Sequence, residues 1–106
     1  MRTVYDKLVR DRIPEIIAQA GRQCGTEVYP EPLYREALRA KLIEEAQEVA
    51  VAAPEQVLAE LADLSEVLDA LLIAYGIKRS ALLAEQDRRR GDRGGFSQRL
   101  RLRWTE

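Results

Sequence analysis

The sequence predicts an all-α fold: a bundle of antiparallel helices that dimerisation completes. Two long segments on either side of Pro54 carry apolar residues at helical spacing, and only a few residues connect them. Such a short connection makes two helices antiparallel neighbours. The chain has 106 residues, of which 46% are hydrophobic and 33% charged. This size and composition predict one domain with a single modest core, spanning residues 1–106.

The first helix is predicted from Arg12 to Ala20, ending at Gly21. Asp11 is the predicted N-cap, and Pro14 is tolerated because it falls in the first turn. Residues 22–33 contain glycine and two prolines, which indicates a loop with at most one short strand.

Two long helices are predicted next, from Pro32 to Ala52 and from Pro54 to Tyr75, with Gly76 as the C-cap of the second. The second helix is apolar on several faces from Leu64 to Tyr75. One chain supplies too few helices to cover those faces, so a homodimeric bundle is expected.

A last helix is predicted from Lys78 to Arg89, with Ser80 as an alternative N-cap and glycines from Gly91 onward ending it. In the tail that follows, leucine and tryptophan alternate with arginine, which is a strand pattern. The sequence therefore predicts a minor β ribbon between residues 26–29 and residues 98–104.

The composition excludes several classes of site and of location. Cys24 is the single cysteine and the chain has no histidine, so an internal disulfide, a zinc site and a histidine-based triad are excluded. No run of 18 apolar residues is present, and the amino terminus lacks the apolar stretch of a signal peptide. A cytoplasmic protein without membrane contact is expected.

Charge is distributed unevenly along the chain. Residues 31–75 hold ten acids against three bases, whereas residues 78–106 hold nine bases against four acids. Basic ends either bind nucleic acid or fold back over the acidic centre to hold a phosphate beside a metal. Because the basic run is short and the isoelectric point is low, no nucleic-acid partner is expected.

Four acids stand at symmetrical distances from Pro54, namely Glu45, Glu48, Glu60 and Asp63. A chain that folds back at Pro54 brings them to matching heights as two pairs. Glu45 falls inside the apolar stripe of its helix and is predicted to be buried. Burying ionised carboxylates without positive charge is costly, and a hard divalent cation such as Mg²⁺ or Mn²⁺ supplies that charge where histidine is missing. The alternative is a solvated acidic face.

Basic side chains near the first helix suit an anion. Lys7, Arg10 and Arg12 precede or begin that helix, where backbone N–H groups point toward solvent. Lys41 lies one turn before Glu45 and can supply one positive charge to the acids. Ordinary surface charge is the alternative interpretation.

Three motifs of this sequence resemble motifs of a known family and occur in the same order. Glu44-Glu45-x-x-Glu48 followed by Glu60-x-x-Asp63 resembles the metal motif of the MazG-like, all-alpha nucleoside triphosphate pyrophosphohydrolases. The stretch from Tyr5 to Ile17 and the sequence Arg93-Gly94-Gly95-Phe96 are similar to the branch called phosphoribosyl-ATP pyrophosphohydrolase-like, or predicted house-cleaning pyrophosphatases. The resemblance covers nearly the whole chain.

The resemblance implies Mg²⁺-dependent or Mn²⁺-dependent hydrolysis of a nucleoside triphosphate to a monophosphate and pyrophosphate, in a homodimer or homotetramer. It implies metal ligation by Glu45, Glu48, Glu60 and Asp63, with Glu44 as an acid behind them or as a base that orients water. The implied phosphate contacts are Lys7, Arg10, Arg12, Lys41 and Arg93, with Gly94 and Gly95 allowing close backbone approach.

Two departures from the family pattern and two alternatives accompany that expectation. Eleven residues separate Glu48 from Glu60, at or just below the short end of the family spacing, and Arg12 stands where lysine is expected. The first alternative is the histidine-biosynthesis step on phosphoribosyl-ATP. The second is a non-catalytic helical dimerisation or regulatory module.

Overall fold

The computed structural model describes residues 2–106. These form four α-helices and one 3-10 turn, in the order α1 (Ile13–Gln19), α2 (Glu31–Val51), the 3-10 turn (Pro54–Gln56), α3 (Val57–Ala74) and α4 (Arg79–Arg93). Residues 2–106 contain no strand, which confirms the all-α prediction. Residues up to Tyr75 form one compact unit and residues 76–106 form another; the single domain over 1–106 stays a prediction.

The α2–α3 hairpin is the centre of the first unit. Ala52 and Ala53 are extended, as the residue before a proline prefers, and Pro54 then starts the 3-10 turn that leads into α3. Because this connection is so short, the two helices pack against each other as antiparallel neighbours. The α2 helix begins and ends one residue before the predicted positions. The α3 helix begins three residues after the predicted Pro54, because the 3-10 turn occupies Pro54–Gln56, and it ends one residue before the predicted Tyr75. Gly76 follows with φ +64°.

The hydrophobic core of the described residues is small. Leu38 of α2 is 2% exposed, and Val67 and Leu72 of α3 are the other buried apolar side chains in residues 2–106. Several large apolar side chains of α3 remain exposed, among them Leu58 and Ile73. Even so, no helix within residues 2–106 combines the length and the apolar character needed to cross a bilayer.

Asp11, the predicted N-cap of the first helix, and Ser80, the alternative for the last, do not occupy the N-cap positions. Arg12 occupies the N-cap position of α1 and Lys78 that of α4, and neither makes a capping hydrogen bond through its side chain. At α1, the Ile13 amide bonds to the Arg10 carbonyl, so the turn before the helix satisfies a donor that an Asp11 cap would have served.

The predicted end of α4 is also wrong, because the helix continues through Gly91 to Arg93. Arg88 pairs with Glu85 and with Asp92, on either side along the helix. Such pairs at three-residue and four-residue spacing support a helix across an unfavourable glycine. The helix stops at Gly94, whose φ of +79° is accessible to glycine at little cost.

The predicted β ribbon is wrong, since neither residues 26–29 nor residues 98–104 form a strand. The Arg99 amide bonds to the Phe96 carbonyl at 3.0 Å, and Arg99 itself has φ 57°. A turn therefore interrupts the segment where the alternation starts. Alternation identifies a strand only where a neighbouring backbone completes the hydrogen bonds, and residues 2–106 provide no such ladder.

Candidate metal centre

Three carboxylates from the two helices of the hairpin converge. Glu45 of α2 and Glu60 and Asp63 of α3 each offer an oxygen, and these oxygens lie within 4.8 Å of one another. Glu60 and Asp63 are three residues apart, so they share one face of α3. The Glu45 side chain is 13% exposed, so it is partly buried rather than fully buried as predicted. We call Glu45, Glu60 and Asp63 the carboxylate cluster.

The donor set of the carboxylate cluster fits a hard divalent cation. Carboxylate oxygens are the ligands that Mg²⁺ and Mn²⁺ prefer, and ligands from two helices surround a cation better than ligands from one. Without a cation the three charges repel. Burial, followed by the charges of Asp63, Glu48 and Glu45, raises the pKa of Glu60 above its ordinary value.

Glu48, the fourth predicted ligand, lies outside the carboxylate cluster. Its side chain is exposed, because a position three residues after Glu45 falls at the edge of the apolar stripe of α2 rather than within it. Its charge still contributes to the raised pKa of Glu60, so it is close enough to influence the cluster. Ligation by Glu48 stays a prediction.

Replacing Glu60 with glutamine is expected to stabilise the cation-free protein at neutral pH, because it removes one of the clustered charges. Since the folded pKa of Glu60 is raised, the folded state binds more protons than the unfolded state, and wild-type stability falls as pH rises through that pKa. Glu60→Gln is therefore expected to be more stable than the wild type at pH values above the folded-state pKa of Glu60. The difference in stability disappears below the unfolded-state pKa of Glu60.

Melting temperatures recorded in chelator between mildly acidic and neutral pH check this expectation. Glu66→Gln, which changes an exposed acid of the same helix, is the matched control. Adding Mg²⁺ should stabilise the wild type more than Glu60→Gln, because ligand binding to the folded state adds to stability. Equal melting temperatures of wild type and Glu60→Gln in chelator at neutral pH would contradict the repulsion.

Lys41 brings a positive charge to the carboxylate cluster from within α2. Its ammonium nitrogen lies 3.4 Å from Glu44 Oε2 and 3.6 Å from Glu45 Oε1. Its side chain is 16% exposed, so solvent screens these pairs less than it screens pairs on an open surface. The predicted placement of Lys41 beside the acids is therefore seen in the structure.

The amino-terminal segment contacts both helices of the hairpin. Lys7 Nζ lies 3.3 Å from Glu44 Oε1 on α2, and Arg10 Nη2 lies 3.0 Å from Asp63 Oδ1 on α3. This segment has no regular secondary structure. In the structure, these two ion pairs hold its positive charges near the carboxylates. Arg10 thus contacts a candidate metal ligand, and Lys7 contacts Glu44, the residue before another.

The other four residues predicted to contact phosphate are Arg12, Arg93, Gly94 and Gly95. Arg12 pairs with Glu15 one turn along its own helix, at 3.1 Å. Arg93 ends α4 and is followed by Gly94 and Gly95, all in the second compact unit. The phosphate contacts of these four residues stay predictions.

A recess of about 100 Å³ lies between the amino-terminal segment and α2. Its lining residues are Asp6, Lys7, Leu8, Tyr29, Ala37, Ala40, Lys41 and Glu44. This recess was not predicted from the sequence, although Ala37, Ala40, Lys41 and Glu44 share one face of α2 at helical spacing. Two alanines beside a lysine and a glutamate leave room against the helix, and that pattern is the signal for the recess.

A comparison with known proteins gives evidence about the family of this chain that is independent of the geometry. The model of the family described as phosphoribosyl-ATP pyrophosphohydrolase matches residues 11–90, which contain the complete α2–α3 hairpin and its carboxylates. No curated protein and no solved structure matches the chain. With most of its length matched, the chain belongs to the phosphoribosyl-ATP pyrophosphohydrolase family, within the MazG-like all-alpha nucleoside triphosphate pyrophosphohydrolases.

Proposed function

We propose that this protein uses Mg²⁺ to hydrolyse a nucleoside triphosphate to a monophosphate and pyrophosphate. The observation that carries the proposal is the convergence of Glu45, Glu60 and Asp63 from two helices in a chain that belongs to a pyrophosphohydrolase family. Cationic side chains beside the cluster also suit the phosphates of a substrate. Here Lys7, Arg10 and Lys41 surround the acids.

The residues of the chain have separate tasks in this proposal. Bound Mg²⁺, which Mn²⁺ can replace, would neutralise phosphate charge and lower the pKa of a coordinated water. The carboxylate cluster holds the cation, and Glu48 lies near enough to join it. Arg10 carries a planar guanidinium suited to phosphate oxygens, and its partner Asp63 leaves the remaining N–H donors free to bind them.

Two substrate classes fit the site, and each has an observation in its favour. A nucleoside or deoxynucleoside triphosphate, ordinary or damaged, agrees with the house-cleaning branch that Tyr5 to Ile17 and Arg93 to Phe96 resemble. Phosphoribosyl-ATP, an intermediate of histidine biosynthesis, agrees at least as well with the family whose model matches residues 11–90. Both substrates require cleavage of the same kind of phosphoanhydride bond.

Pyrophosphate release from a substrate panel tests the proposal. The panel contains ordinary, deoxy and damaged nucleoside triphosphates together with phosphoribosyl-ATP, each assayed with Mg²⁺ and with chelator. We expect release only with the cation, and the substrate with the highest kcat/KM separates nucleotide-pool cleaning from biosynthesis. No release from any substrate, with equal melting temperatures in Mg²⁺ and chelator, would favour the non-catalytic helical module.

We also propose that the protein is a homodimer or homotetramer in the cytoplasm, without nucleic-acid or membrane partners. Leu58 and Ile73 of α3 are 82% and 81% exposed, and covering such side chains with a second copy would remove apolar surface from water. A melting temperature that rises with protein concentration supports an oligomer. A value independent of concentration, with the mass of a single chain in solution, contradicts it.

A further inference from the structure

The carboxylate of Glu44 accepts two ammonium groups from different parts of the chain. Lys7 Nζ lies 3.3 Å from one oxygen, and Lys41 Nζ lies 3.4 Å from the other. Two lysines share one glutamate, so the three side chains together carry one net positive charge. All three line the recess between the amino-terminal segment and α2.

This arrangement is unsuited to a general base. Both oxygens of Glu44 accept a hydrogen bond from a lysine, whereas a base must direct one oxygen toward the proton that it removes. The geometry therefore suits holding cations better than abstracting a proton.

Lys7 and Lys41 differ in the contacts that they make apart from Glu44. Lys41 belongs to α2 and also pairs with Glu45 of the carboxylate cluster, so it keeps a partner without Glu44. Lys7 belongs to a segment without regular secondary structure, and its ammonium otherwise contacts only the ring of Tyr5, at 5.8 Å, among the contacts that the structure shows. Loss of the Glu44 charge should therefore release Lys7 far more than Lys41.

We propose that Glu44 is a positioning residue, which holds the ammonium groups of Lys7 and Lys41 together at the recess so that they bind the pyrophosphate part of the substrate beside the carboxylate cluster. Each ammonium has three N–H donors. Lys7 thus retains donors for phosphate oxygens after donating to Glu44, and Lys41 connects the recess to the cluster through Glu45. The identity of the substrate rests on the proposed function.

Binding of inorganic pyrophosphate with Mg²⁺, measured by calorimetry on the full chain, tests the proposal without requiring turnover. The variants are Glu44→Gln, Lys7→Met and the double variant, and Glu36→Gln is the control because it changes an exposed acid of the same helix. We expect each single variant to weaken pyrophosphate binding about tenfold, with the double variant no weaker than Lys7→Met, since residues acting through one another are not additive. The Mn²⁺ affinity in the absence of pyrophosphate should stay unchanged in Glu44→Gln.

The possible results separate this inference from the proposed function. Pyrophosphate binding can depend on Glu44 and Lys7 in a protein that releases no pyrophosphate from any nucleotide. That result supports the positioning role of Glu44 and rejects the proposed enzymatic function. Unchanged pyrophosphate binding in Glu44→Gln, with a large fall in kcat, makes Glu44 a base and overturns the inference. Additive losses in the double variant overturn it as well. If Glu44→Gln does not fold, Lys7→Met decides, because unchanged binding in that variant also overturns the inference.

Discussion

Glu45→Gln is expected to lower Mg²⁺-dependent pyrophosphate release by more than about 100-fold, since even residues behind metal ligands cost about 10- to 100-fold when they are replaced. Glu45 is the single member of the carboxylate cluster on α2. Without its charge, the remaining two acids lie on one helix and cannot enclose a cation from two sides. The substitution also removes a partner of Lys41, so that its ammonium remains beside a neutral amide.

Two measurements on the same samples distinguish loss of the cation from loss of chemistry. Glu45→Gln should abolish both pyrophosphate release and the rise in melting temperature that Mg²⁺ gives the wild type. Glu36→Gln, on the exposed face of the same helix, should change neither quantity. Full release by Glu45→Gln would place the active site elsewhere, whereas lost release with an unchanged effect of Mg²⁺ would mean that Glu45 is not a ligand.

Leu38→Ala is expected to lower the free energy of unfolding by about 2 to 5 kcal/mol, as large-to-small substitutions in packed cores do. Leu38 is the most buried apolar side chain among the described residues, and only Val67 and Leu72 accompany it in the buried core. In so small a core, the cavity that the substitution leaves has few neighbours that can fill it. A large fraction of the total stability should therefore be lost.

Urea unfolding followed by circular dichroism measures the effect, with protein concentration held constant because a dimer would make stability depend on it. Leu100→Ala is the control of the same chemistry, since Leu100 is 85% exposed and should change stability by no more than about 0.5 kcal/mol. Equal effects of the two substitutions would show that Leu38 does not belong to the stabilising core.

The helical hairpin and most of its carboxylate cluster follow from local sequence patterns. The positions of Glu45, Glu60 and Asp63 around Pro54 predict their convergence, because two straight helices joined by a short turn place residues equidistant from the turn side by side. Glu48 obeys the same symmetry and yet lies outside the cluster. Symmetry fixes the height of a residue along a helix, whereas the rotation of the helix against its neighbour decides which way the side chain points.

Local patterns were insufficient at the chain ends. The alternation in residues 98–104 and the Asp11 cap each describe a structure that a segment can adopt if its surroundings favour it. At Phe96 to Arg99 a turn forms instead, and at Ile13 a backbone carbonyl takes the amide hydrogen. In both places the competing hydrogen bond comes from the backbone, which composition and spacing do not reveal.

The sequence by itself determined the all-α class, the hairpin, the convergence of Glu45, Glu60 and Asp63 and, through its motifs, the family. Only the tertiary structure showed that Lys7 meets Glu44 across 37 positions and that Arg10 meets Asp63 across 53. Helical periodicity relates residues within about four positions of each other. Contacts between an irregular segment and a distant helix depend on how the whole chain packs, and for that reason the lysine pair and the recess emerged only in three dimensions.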